Sequence, residues 1–101
     1  MTKDLVDALV QDIRDLLDTS GVGLYEFIWI LRGMDSTLGM EAMHDQASLA
    51  LRRLLAERQG RLVLLMWPSQ DVVGPYEPDN VGANSWADPS LEEPYVAITR
   101  N

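Results

Sequence analysis

Leu5, Leu9, Ile13 and Leu16 recur at spacings of four, four and three, with Val6, Val10 and Leu17 widening the stripe. That period predicts an amphipathic helix at the start of the chain. Thr2 has the chemistry of an N-cap, Asp4 suits the positive end of the helix dipole, and Asp18-Thr19-Ser20-Gly21 should stop the helix. Its outward face carries Asp4, Asp7, Asp12, Asp15 and Asp18 against Lys3 and Arg14.

A second helix is expected from Leu24 to Arg32, closed by Gly33 as a left-handed cap. Leu24, Phe27, Ile28 and Leu31 make one core-facing side, and Glu26 is the polar interruption. Tyr25 and Trp29, four apart, fall on a different face that something else must cover. After a loop over 34–40, a third helix is expected from about Glu41 to Gln59, burying Met43, Ala47, Ala50, Leu51, Leu54 and Leu55 and ending at Gly60.

The run Leu62 to Trp67 reads as a buried strand stopped by Pro68, and Tyr95 to Thr99 as a second. In the second, Tyr95, Ala97 and Thr99 share one face while Val96 and Ile98 share the other. Residues 68–93 between them are rich in proline, glycine and asparagine and read as one long loop. Val72, Val73, Tyr76 and Trp86 should anchor it, and a short helical turn is expected around Ser85 to Ala87.

These elements predict a single α+β domain over 1–101, with a helical part at 1–60 and an antiparallel hairpin at 61–99. Three helices followed by two strands is the element order of a winged helix-turn-helix domain. The phrase LALRRLLAERQGRLVLLMWP resembles the recognition helix of such proteins running into the first wing strand. Across GLYEFIWILRG and WADPSLEEPYVAI the chain also resembles small bacterial proteins with no assigned activity. The resemblance implies a three-helix winged-helix-like fold with an enlarged acidic wing loop, and it brings no function with it.

The chain contains no cysteine, which removes disulfides, thiolate metal sites and cysteine nucleophiles together. Its first residues carry aspartates and no apolar h-region, and no apolar run reaches the ~18 residues of a membrane span. A soluble, cytoplasmic protein is the expectation. Sixteen acids against eight bases give a net charge of −8, a field that repels nucleic acid and anionic membrane and attracts basic partners.

The winged-helix order invites a DNA-binding reading, which the charges oppose. The exposed side of the third helix should present Glu41, His44, Asp45, Ser48 and Arg52, so acids stand at the end that would approach base edges. Between Leu62 and Thr99 there is no Lys or Arg, while Asp71, Glu77, Asp79, Asp88, Glu92 and Glu93 are negative. Arg52, Arg53, Arg58 and Arg61 are the candidate phosphate contacts for a transcriptional regulator, against a competing role in local pairs such as that with Glu57.

Catalysis finds no footing in the motifs. His44 is the one histidine, Asp12/Asp15 and Glu92/Glu93 are carboxylate pairs of the kind abundance produces, and Glu77-Pro78-Asp79-Asn80 lacks calcium-loop spacing. No enzyme, cofactor or metal is expected.

Protein binding is the remaining class. Asp71, Tyr76, Glu77, Asp79, Trp86 and Asp88 place aromatic anchors in an acidic loop, and Tyr25 and Trp29 offer a second or dimer patch. The expectation is an acidic protein-binding domain, of the immunity or antitoxin kind, that blocks a basic protein surface. A DNA-reading regulator and a structural, oligomeric subunit are the alternatives.

Overall fold

Helix α1 spans Leu5–Leu17 in the computed structural model, which describes residues 5–58, 60–67, 71–86, 88 and 93–100. Thr2, Asp4, Gln59, Pro68, Ala87 and Glu92, to which the sequence assigned roles, lie outside the described residues. The chain continues as β1 (Val22–Gly23), α2 (Leu24–Met34), α3 (Met40–Ala56), β2 (Arg61–Met66), β3 (Val72–Pro75) and β4 (Pro94–Thr99). Short 3-10 turns at Pro78–Asn80 and Ala83–Trp86 separate the last two strands.

The fold is α+β, three helices with a four-stranded antiparallel sheet in the order β1-β4-β2-β3. The expected hairpin strands do pair, from Arg61↔Thr99 to Met66↔Pro94. Two further strands correct the two-stranded expectation. β1 is only two residues long, too short to show a period, and pairs Val22↔Ile98 and Gly23↔Ala97. β3 contains Gly74 and Pro75, residues that weaken any strand signal, and it sits at an edge where proline costs no ladder bond. The segment expected as one loop is therefore partly strand.

Alternation along the strands divides the apolar side chains between the two faces of the sheet. Leu62, Val96 and Ile98 join the helices in the main core, with Phe27, Leu9, Ile13, Leu24, Leu31 and Leu54 fully buried. Val63, Leu65, Tyr95 and Ala97 form a smaller cluster on the other face, together with Tyr25 from α2 and the partly buried Trp67. Burial of each large core side chain is worth roughly 1.5–3 kcal/mol. In α1 the buried stripe is Val6, Leu9, Val10, Ile13 and Leu17, which leaves Leu16 exposed, contrary to the expected stripe.

The helix ends also differ from expectation. Gly33 lies inside α2, which continues to Met34, and the Asp35 N–H donates to the Leu31 carbonyl at 2.9 Å. Helix α3 stops at Ala56, and Arg58 takes the left-handed conformation with φ 56°. Gly60 is needed for close approach instead. A Cβ there would meet the Thr99 carbonyl oxygen at 2.6 Å and Ile98 Cγ1 at 2.7 Å.

At the start of α2, the Gly23 N–H donates to the Glu26 carboxylate at 2.6 Å. The single acid in that apolar run thus satisfies a backbone group at the helix entrance. No helix among the described residues is long and apolar enough to cross a membrane.

Candidate functional groove

Helix α2 buries one side completely and turns Trp29 outward, 52% exposed. Two contacts fix this indole. It makes a T-shaped contact with the Tyr25 ring one turn earlier, at a centroid distance of 4.9 Å and 80° between planes. Its Nε1–H donates to the Asp88 carboxylate at 3.0 Å. Asp88 follows Trp86 closely in sequence, and Trp86 is buried against Phe27, with centroids 5.7 Å apart. The loop is thereby pinned to α2 at two points.

A groove of about 260 Å³ opens between α2, the first turns of α3 and this pinned segment. Ile28, Trp29 and Arg32 line it from α2, Met40 and His44 from α3, and Trp86 and Asp88 from the loop. Met40 is 51% exposed, and the His44 ring lies 6.4 Å from that of Trp86. Arg32 is exposed and forms no ion pair among the described residues. On the far side of Trp86, Ser48, Leu51, Arg52, Leu55, Pro78 and Val81 enclose a smaller groove of about 130 Å³.

The groove brings together three of the eight residues that the sequence pointed to, Trp29, Trp86 and Asp88. Trp29 is accessible, whereas Trp86 is buried and forms a wall: it anchors the loop as expected, but its ring is not exposed as an aromatic anchor for a partner. Tyr25 is also buried, covered by Trp29, Trp67 and Tyr95. Burial raises its phenol to about 12, helped by the charges of Glu26 and Asp88 and by Tyr95.

The other expected residues lie elsewhere. Tyr76 is half-buried, and its hydroxyl donates to the Asn80 carbonyl at 2.8 Å. Asp71, Glu77 and Asp79 are exposed along the segment from β3 to the first 3-10 turn. The Asp71 carbonyl accepts from the Met66 N–H at 2.9 Å.

The four arginines are dispersed. Arg53 pairs with Asp7 of α1 and, at 3.7 Å, with Glu57, which also pairs with Arg14. Arg52 borders the smaller groove, Arg58 forms the left-handed turn, and Arg61 begins β2. The α3 face expected to be open is partly covered, since His44 and Ser48 are half-buried beside Trp86.

Met40, Arg32, Ile28 and His44 were not singled out from the sequence as protein-binding residues. One signal was available, because Trp29 and Arg32 are three apart and Met40 and His44 four apart, so each pair shares a helix face. Among the described residues no group of three His, Asp or Glu side chains is placed to hold a metal ion. Compared with protein-family models, with curated proteins and with solved structures, the chain matches none.

Proposed function

We propose that this chain is a non-catalytic, cytoplasmic protein-binding domain of winged-helix type, an inhibitor of the immunity or antitoxin kind that docks a basic protein. The observation that carries this reading is Trp29, half exposed and held in place by Asp88 in a groove shared with Met40 and Arg32. Trp, Met and Arg are the residue types enriched in interface cores and hot spots. An exposed indole already fixed by its neighbours loses little freedom on binding, which favours slow release.

The net charge of −8 would speed encounter with a basic surface. The winged-helix part of the reading rests on the order of three helices followed by the antiparallel strands β2 and β4. Arg53 is already engaged by Asp7 and Glu57, which counts against its use as a phosphate contact in a DNA-reading role.

The test uses the protein as bait in a cell lysate, wild type against Trp29→Ala, at two salt concentrations. Partners with isoelectric points above about 9, retained by the wild type and lost with the variant, support the reading. Identical capture by both proteins overturns it. Salt-sensitive micromolar binding of a labelled random duplex by the wild type replaces it with the regulator reading.

A further inference from the structure

We infer that the groove beside Trp29 is a receptor for an arginine side chain of the partner, with the guanidinium stacked on the indole and bonded to the Asp88 carboxylate. The inference rests on the protein-binding reading and specifies what enters the groove. At about 260 Å³ the space is below the range of roughly 300–1,000 Å³ of small-molecule sites, and it suits one long side chain.

Its chemistry selects the head group of that side chain. The indole offers a π face to a cation, and its Nε1–H is already given to Asp88, so carboxylate and ring stand side by side. A carboxylate has about four acceptor positions, and the indole occupies one. A planar guanidinium can stack on the ring and donate from its fork to the adjoining carboxylate together. A lysine ammonium is a compact, more strongly hydrated point charge without a planar surface or a fork of donors, so it serves ring and carboxylate together less well.

The charge around the groove sets the direction of entry. From Leu62 to Thr99 the chain carries no Lys or Arg, so the Asp88 side is purely acidic in sequence. Arg32, one turn beyond Trp29 on α2, and His44 of α3 also line the groove; Arg32 opposes an incoming cation, so the cation's place is at the Trp29–Asp88 end. The Arg32 donors remain available for a carbonyl or carboxylate of the partner. A second copy of this chain is the disfavoured occupant, since two molecules at −8 each repel.

The experiment follows the Trp29 indole N–H by nitrogen-15 NMR, assigned through Trp29→Phe, at low salt. The probes are N-acetylarginine amide, its neutral isostere N-acetylcitrulline amide, and N-acetyllysine amide carrying a free side-chain amine. We expect saturable shifts with the arginine compound and weaker binding of the other two by at least about tenfold. Asp88→Asn keeps an acceptor for the indole but loses the charge, and it should weaken the arginine compound by a similar factor while the spectrum stays dispersed.

Equal binding of citrulline, equal binding of lysine, or an unchanged arginine affinity in Asp88→Asn each overturns the inference. Shifts of the indole on simple dilution, without probe, assign the groove to self-association instead. A lysate partner that depends on Trp29 but ignores Asp88→Asn removes the arginine receptor and leaves the protein-binding reading standing. An intact arginine titration without any Trp29-dependent partner does the reverse.

Discussion

The Trp29 indole and the Asp88 carboxylate meet at 3.0 Å across 59 positions of sequence, and this bond ties the late loop to the outer side of α2. Trp86, two residues before Asp88, is buried in the main core beside Phe27, so the two tryptophans differ in what their loss should do. Trp86→Ala should cost about 3–5 kcal/mol, a large part of the roughly 5–15 kcal/mol that holds a small domain folded. Trp29→Ala removes one hydrogen bond and a half-exposed ring, and its cost should stay below half that of Trp86→Ala. Urea unfolding of both variants measures the ratio. Equal losses would mean that Trp29 is a structural residue and not a presented one.

Two glycines give an opposed pair of predictions. Gly33 sits inside α2 without a left-handed backbone, and a Cβ there would have nothing within 4 Å. Gly33→Ala should stabilise by about 0.5–1 kcal/mol, by the ordinary helix preference. Gly60→Ala should destabilise, because the added methyl meets the Thr99 carbonyl oxygen at 2.6 Å and that oxygen belongs to a paired strand. Thermal melts should therefore move in opposite directions. A fall with Gly33→Ala would show that the helix depends on glycine there for some reason other than space.

The same two positions show what the sequence could reveal. Both read as helix caps, because a glycine after an apolar helical run is most often one, yet neither adopts the left-handed conformation. Strong periods translated well into structure. The α2 side made by Leu24, Phe27, Ile28 and Leu31 and the division of Val96 and Ile98 from Tyr95 and Ala97 stand as the spacing required. The strands β1 and β3 were hidden, one by its length and the other by Gly74 and Pro75. The groove was half visible: Trp29, Trp86 and Asp88 drew notice as residue types, but no local pattern encodes a contact between residues 29 and 88. Met40 and Arg32 acquire meaning only once that contact closes the groove.

Arg53 joins α1 to α3 through Asp7 and also reaches Glu57, which Arg14 holds from the other side. The side chains are partly exposed, so their attraction is screened by salt. Arg53→Gln should lower the melting temperature at low salt, with the difference shrinking as salt is raised toward 0.5 M, an ionic strength of about half molar at which the Debye length falls to a few ångströms. A salt-independent loss would trace the effect to packing of the arginine stem against the helices.

Alkaline stability follows from the aromatic cluster on the outer face of the sheet. The Tyr25 phenol is raised from its ordinary value of 10.0 to about 12, first by burial, then by the negative charge of Glu26, then by Tyr95 and Asp88. Tyr95 is shifted in the same direction, first by burial and then by Glu26. Below about pH 10 both folded and unfolded chains keep the Tyr25 proton, and its contribution to stability is fully present. Between about 10 and 12 the unfolded chain releases the proton while the folded chain retains it. The unfolded state then binds fewer protons, so stability falls as pH rises, and the contribution is gone above the folded value. Tyr25→Phe keeps the ring that packs on Trp29, Trp67 and Tyr95 but removes the ionising group. Its denaturation midpoint should decline less steeply than that of the wild type over this window, with the residual slope shared by Tyr95. Parallel curves for the two proteins would show that alkaline unfolding begins elsewhere in the molecule.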